Sequence, residues 1–244
     1  MSSAAPASHT QPLSLLSAKL IESTPMSAAV RLLTFAVPEN SRLDFLPGQS
    51  IRIDVPFDGK TVSLAYSIAS APEPGNRFEL CVKAGRKGSP LESLFELRAG
   101  GEIRFSAPQG DFVLHQLNED ALFLAAGTGI APIRAMVQSL MHQNGRHSVQ
   151  LLFGTRDAES LFFHSEFLAL ARQHPRFQYL PVLSRADDNW QGARGHVQHH
   201  LGGVLSQSGR AYLCGPSDMV RSATAALRHL GWPEQLIHYD RDGY

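Results

Sequence analysis

Apolar and polar residues alternate with a period of two in six separated stretches of the first half of the chain: residues 14–21, 30–35, 51–55, 63–68, 78–82 and 102–105. That period sets one face of a strand against a core and the other in water, and Gly or Pro separates many of the stretches. Six short antiparallel strands are enough to close a small barrel. From Ala121 the pattern changes. Stretches 122–125, 149–153, 178–183 and 211–214 read as strands, and 132–142, 159–172 and 217–229 as helices interleaved with them. Repeated units of this kind build a parallel sheet. The expected architecture is a tail over residues 1–12, a six-stranded antiparallel β-barrel domain over 13–117 and an α/β parallel-sheet domain over 118–244.

The junction at residues 121–134 carries the strongest chemical signal. An apolar strand pattern runs directly into Gly127-Thr128-Gly129 and then into a helix start. Open α/β sheets bind nucleotides at such places. Glycines there let the backbone turn tightly and a diphosphate come close, and the first N–H groups of the following helix are unpaired donors with partial positive charge. Pro132 suits the first helical turn, where its missing N–H has no intrahelical partner to lose. A lone glycine motif is also compatible with an ordinary strand-to-helix turn, so the accompanying motifs decide.

Upstream, the strand pattern Val62-Ser63-Leu64-Ala65-Tyr66-Ser67-Ile68 sends alternate side chains to opposite faces, which allows Tyr66 to lay its ring against a planar ligand. Phe45-Leu46-Pro47-Gly48-Gln49 precedes it, and Val82-Lys83 followed by Gly88-Ser89-Pro90 marks a strand end and a helix start. Downstream, Gly154-Thr155-Arg156 and Cys214-Gly215-Pro216 are two further strand-then-glycine breaks. In this order, from about Leu13 to Asp240, the motifs resemble those of the ferredoxin-NADP reductase family. The resemblance implies a flavin-binding barrel followed by a pyridine-nucleotide domain, with FAD rather than FMN as cofactor and NADPH or NADH as hydride donor. It also implies roles for individual residues. Tyr66 would lie on one face of the isoalloxazine, Ser67 would bond near N5, and Ile68, Val82 and Lys83 would flank them. Gly88 and Ser89 would meet the flavin phosphate. Gly127, Thr128, Gly129 and Pro132 would receive the nicotinamide cofactor's pyrophosphate, Gly154, Thr155 and Arg156 would line the next strand end, and Cys214, Gly215, Pro216 and Met219 would flank the nicotinamide. Electrons would pass to a separate ferredoxin, flavodoxin or oxygenase component. Hydride transfer itself needs orientation more than acid–base groups, because the cofactors carry the reaction.

Two positions depart from the family pattern. Leu64 stands where an arginine is expected to pair with flavin phosphate, a contact worth roughly 1.5–3 kcal/mol. Lys83, Arg86 and Lys87 lie near Gly88 in sequence, and Arg86 is the first candidate to substitute; the alternative is a solvated basic loop. The same departure makes an NAD(P)H:flavin reductase, which uses free flavin as substrate, the second functional reading. At the other end, Tyr244 is the candidate for the terminal aromatic shield over the flavin, with a frayed terminus as the alternative. Cofactor choice should rest on Ser184 and Arg185. A hydroxyl and a guanidinium fork suit a 2′-phosphate, although Arg185 could equally be a surface residue beside Asp187 and Asp188.

Composition narrows the remaining options. Lys and Arg balance Asp and Glu at 22 each, which gives no electrostatic reason to expect nucleic acid or an anionic membrane as partner. The first twelve residues have neither a basic start nor an apolar run of signal-peptide length, so a cytoplasmic protein is expected. Two cysteines cannot supply the four thiolates of an all-cysteine iron–sulfur site. Cys81 reads as a small core residue, and Cys214 either as core packing at a strand end or, as the resemblance implies, as a neighbour of the reacting nicotinamide. His196, His199 and His200 have no completing carboxylate or cysteine, so they read as a polar helix face and no metal centre is expected. Ser63, Ser67 and Ser89 lack nucleophile-elbow spacing, which disfavours a hydrolase.

Overall fold

The computed structural model describes residues 15–116, 118–143, 147–203 and 209–240. Its first half is one antiparallel sheet of six strands: β1 (Leu16–Ser27), β2 (Val30–Ala36), β3 (Ser50–Phe57), β4 (Lys60–Ser67), β5 (Arg77–Lys83) and β6 (Glu102–Phe105). They are ordered β4-β3-β6-β1-β2-β5, and a single bridge between Ile68 and Leu80 brings the two outer strands together. The period-two alternation produces this closure. Ile51, Ile53 and Val55 of β3 face Tyr66, Leu64 and Val62 of β4 on the inner side. Phe35, Phe78 and Phe105 fill the middle, with ring centroids 5.4 and 5.3 Å apart. A short helix, α1 (Pro90–Phe95), follows β5 and packs Leu94 and Phe95 against the same core.

Strand β1 is longer than the alternation at residues 14–21 predicts. Its C-terminal part pairs with β2 as far as Ser27 opposite Val30, but register shifts at Leu20/Glu22 and Pro25/Ser27 break the simple period.

The second half is a parallel sheet with strands β7 (Ala121–Ala126), β8 (Val149–Thr155), β9 (Phe177–Leu183), β10 (Ala193–Arg194), β11 (Arg210–Cys214) and β12 (Ile237–Tyr239). Helices α2 (Ile130–Met141), α3 (His164–Gln173) and α4 (Ser217–His229) cross between them. The order is β10-β9-β8-β7-β11-β12. The chain thus builds outward from β7 in one direction and then returns to continue from β11 in the other. The crevice beyond the carboxyl ends of β7 and β11 is the switch point where such sheets bind ligands. On β7, Phe123 and Ala125 pack into one layer and Leu122 and Leu124 into the other.

Residues 159–172 do not form the single helix that their pattern predicts. Ala158–Ser160 is a 3₁₀ turn, Phe163 adopts a left-handed conformation at φ 60°, and α3 begins only at His164. Leu161, Phe162 and Phe163 are all buried. Three consecutive residues on a helix span too wide an arc for one contact face, so the chain turns to bury them.

Helix α2 lies between the two sheets and is buried from Ile130 through Val137. A helix buried on all sides needs partners on all sides. Its partners include Val30, Ala69, Cys81 and Leu114 from the barrel side and Phe123, Leu151 and Phe153 from the parallel sheet. Among the described residues no helix is long and apolar enough to cross a membrane.

Candidate functional site

On the barrel, Tyr66 points inward from β4 and is partly buried, yet its hydroxyl is shut off from water without a protein partner. Burial pushes that hydroxyl up to about 12, so it stays a neutral hydrogen-bonding group. Ser89 precedes α1 in the N-cap position, makes no side-chain cap bond, and likewise has a buried hydroxyl without a partner. Buried polar atoms are normally bonded. Two such orphans, with the exposed Gly88 beside one of them, fit a flavin whose hydroxyl- and phosphate-bearing chain supplies the missing partners. Ile68 and Val82 bury their side chains completely in the barrel, leaving only their backbones available. Leu64 faces Ile53 on the inner side. Lys83, Arg86 and Lys87 are exposed.

The sheet side presents its motifs along one edge. Gly127 sits at φ 57° with open space where a Cβ would be, while Gly129 lies so close to β11 that a Cβ would stand 2.4 Å from the Cys214 carbonyl oxygen. The end of β8 is tied to the end of β9: Ser184 N–H donates to the Thr155 carbonyl at 2.9 Å and Arg185 N–H to the Arg156 carbonyl at 2.7 Å. These bonds set Arg156, Ser184 and Arg185 side by side, all exposed. Arg194, by contrast, donates to the carbonyls of Ala186, Asp187 and Trp190 and holds that loop. At the end of β11 the Cys214 thiol is buried and donates to Asp240 Oδ2 at 3.6 Å. Burial and the Asp240 carboxylate together hold this thiol well above the ordinary thiol range, so it is a neutral S–H and not a thiolate. Gly215 and Pro216 carry the chain into α4, where Met219 is buried beneath the turn.

Between the two sheets lies a cleft of about 530 Å³. That volume is within the range of small-molecule sites. Its barrel wall includes Gly48, Ser50, Ser67 and residues 109–112, and its far wall His115 and residues 237–240. Ser67 therefore shares one cavity with Asp240, whose carboxylate accepts from the Cys214 thiol. The far wall is an aromatic stack. Tyr212 lies between Phe123 and His238, and the rings of His115 and His238 are 4.3 Å apart. Burial, the His115 ring and the neighbouring Arg210 guanidinium push His238 down to about 4.

Of the expected residues, Ser67 lines the cleft itself, and Cys214 reaches it through its bond to Asp240; the others lie on the barrel or along the end of the parallel sheet. Tyr244 lies outside the described residues. The sequence reading did not include the Asp240–Cys214 contact or the His115–His238 wall, whose partners are too far apart in the chain to be paired by spacing. His196, His199 and His200 fall around a 3₁₀ segment, Val197–Gly203, in which the His200 ring meets the Arg194 carbonyl at 2.9 Å.

Two family models match the chain: an oxidoreductase FAD-binding domain over residues 17–114 and an oxidoreductase NAD-binding domain over residues 123–225. Ferredoxin–NADP reductase B of Sorangium cellulosum is 33% identical over 234 residues, covering 92% of this chain and 96% of the relative. The anthranilate 1,2-dioxygenase electron transfer component of Acinetobacter baylyi is 30% identical over 76% of this chain, which spans 54% of that protein. Among solved structures, a ferredoxin NADP+ reductase from Neisseria gonorrhoeae with bound FAD and NADP superimposes with a TM-score of 0.78 at 21% identity, covering 94% of this chain and 99% of the other. The FAD/NAD-binding domain of a Vibrio cholerae nitric oxide dioxygenase reaches 0.83 at 24% identity, with the same coverage of each chain. At these identities the structures speak to the fold.

Proposed function

Because this chain belongs to the ferredoxin-NADP reductase family and is a flavin-dependent NAD(P)H oxidoreductase, we propose that it draws hydride from NADPH onto FAD. It then passes electrons to a separate ferredoxin, flavodoxin or oxygenase component. Bound FAD supplies the hydride-accepting ring and releases its electrons to the next carrier. The chain's own residues orient and enclose it. Tyr66 and Ser67 hold the flavin, and Gly88 and Ser89 hold its phosphate. Gly127 presents open backbone, and Gly129, packed against the end of β11, leads into a helix start, toward the nucleotide's diphosphate. Cys214, as a neutral thiol bonded to Asp240, lies beside the nicotinamide and, not being a thiolate, does not add to the electrophilic rings that exchange the hydride. The observation that carries this reading is the shared cleft: Ser67, at the end of the flavin strand, opens on the same cavity as Asp240 at the end of the parallel sheet.

The preference for NADPH rests on Arg156, Ser184 and Arg185, two exposed guanidinium groups and a hydroxyl that β8 and β9 place together. A planar cationic fork matches a 2′-phosphate and has no use for a free ribose hydroxyl.

One observation favours a second reading, an NAD(P)H:flavin reductase with exchangeable flavin. Leu64 offers no charge to a flavin phosphate, and the nearest basic loop is solvent-exposed. The deciding experiment is purification without added cofactor, a visible spectrum, and anaerobic addition of NADPH or NADH, followed by added ferredoxin or flavodoxin. A yellow protein bleached preferentially by NADPH and reoxidised by a protein carrier supports the first reading. A colourless protein that reduces added flavin supports the second, and inertness to both nucleotides refutes both.

A further inference from the structure

Among the described residues Arg134 is the only charged side chain that is buried, at 8% exposure, and it sits where the barrel meets α2. Its Nη1 donates to the Ala69 carbonyl at 2.8 Å and to Glu79 Oε2 at 2.6 Å. Its Nε donates to the Glu166 carboxylate at 2.9 and 3.0 Å. The guanidinium carbon lies 4.4 Å from the centre of the Phe163 ring, the residue whose left-handed backbone interrupts the expected helix. One turn further along α2, Gln138 donates to Glu166 at 2.9 Å and accepts from the Ala71 N–H at 2.9 Å. Glu79 belongs to β5, Ala69 and Ala71 to the segment that follows Tyr66-Ser67, and Glu166 to α3. One side chain therefore joins β5 and the segment after β4, in the barrel half, to α3 in the parallel-sheet half.

Stability alone does not call for such a cluster, because well-packed apolar residues do as well as a buried ion pair. A guanidinium held by two carboxylates, a carbonyl and a ring does fix an angle and a distance. The connection is short. Ser67 is two residues from Ala69, roughly 7 Å of extended chain. Arg134 is five residues from Gly129, roughly 7.5 Å along the helix axis.

We propose that Arg134 is a positioning residue for hydride transfer: through Ala69, Glu79 and Glu166 it sets the flavin strand against the nucleotide-binding turn. This rests on the functional reading given above. Each cofactor's binding groups lie within one sheet unit, so loosening the junction should leave both affinities intact and lower only the rate at which the bound pair reacts. Displacement of reacting groups by about 1 Å costs on the order of a hundredfold.

The test uses the full FAD-loaded chain and the variants Arg134→Met, Arg134→Lys and Glu79→Gln. Anaerobic rapid mixing with NADPH gives the dissociation constant and saturating rate of flavin reduction, the long-wavelength charge-transfer absorbance reports stacking of the two rings, and hydrogen exchange reports the amides of residues 69–71. The expected result for Arg134→Met is a saturating rate lower by roughly ten- to a hundredfold. Flavin content and NADPH affinity should hold, charge-transfer absorbance should be weaker, and exchange at Ala69 and Ala71 faster. Arg134→Lys and Glu79→Gln, which keep a charge or a bond at the site, should fall between that variant and the parent, and they carry the test if Arg134→Met does not fold. An unchanged saturating rate in the folded variants overturns the proposal, as does a rate loss matched by an equal loss of affinity. A parent protein that neither nucleotide reduces overturns the functional reading and the proposal with it.

Discussion

Replacing Gly129 by alanine tests how rigidly the nucleotide-binding turn is set against the neighbouring strand. The new Cβ would stand 2.4 Å from the Cys214 carbonyl oxygen, 2.6 Å from its carbon and 2.8 Å from the Gly215 nitrogen. All three are backbone atoms, and none can rotate away. Ordinary contact begins at 3.4 Å, so the turn and the end of β11 must part by about 1 Å. Overpacking of this kind costs about 1–3 kcal/mol. For a chain of this length that lowers the melting temperature by about 2–12 °C, at 2–4 °C for each kcal/mol. The parting also separates the diphosphate turn from Cys214-Gly215-Pro216, the two groups expected to hold opposite ends of one nucleotide, so the rate of flavin reduction at saturating NADPH should fall at least about tenfold. Gly127→Ala is the companion. Nothing lies within 4 Å of its Cβ position, so its cost is backbone strain at φ 57°, about 1–2 kcal/mol. Its methyl group would fill the open space proposed above to receive the diphosphate, so NADPH affinity should suffer more than the saturating rate. Calorimetry and anaerobic rapid mixing on the two variants decide the matter. A Gly129→Ala protein with parental melting temperature and rate would refute the claim that this contact holds the turn in place.

Three further outcomes follow from the same geometry. Between pH values of about 6.5 and 4 the unfolded chain binds a proton at His238 that the folded chain excludes, so the parent loses stability as pH falls through that window; His238→Phe keeps a ring against Tyr212 and His115, and its urea midpoint should fall less on acidification. Leu64→Arg restores a cation for flavin phosphate and should tighten FAD by about ten- to a hundredfold in titrations of the apoprotein, unless the basic loop at Lys83, Arg86 and Lys87 already supplies that charge. Arg185→Asp places an acidic group where a 2′-phosphate would bind, and should lower the NADPH-to-NADH ratio of catalytic efficiencies by roughly ten- to a hundredfold.

The strands and glycine turns were legible in the sequence because their causes are local. Alternation writes the barrel's inner face into residues such as Ile51, Ile53 and Val55, and the strand-to-helix turn at Gly127–Gly129 is written into those three residues and Pro132. The break at Phe163 was not legible, since that residue leaves helical geometry to bury its ring against α2 and a guanidinium 29 positions away. The same holds for Arg134. Its partners lie 32, 55 and 65 positions away, and only the fold brings them together. At the candidate site, Tyr66, Ser67 and Cys214 were singled out by their motifs, while Asp240 entered only when the last strand was seen to end beside the Cys214 thiol.

Both margins of the parallel sheet are cut short: β10 has two residues and β12 three. Free amides and carbonyls along a sheet margin invite a second chain to add its own strand, and a margin this brief offers too few of them to hold one. In a crowded solution the protein is thereby guarded against edge-to-edge self-association. The residues that provide this guard on one side, Ile237, His238 and Tyr239, also form part of the cleft wall, so a substitution there bears on colloidal behaviour and on the site at once.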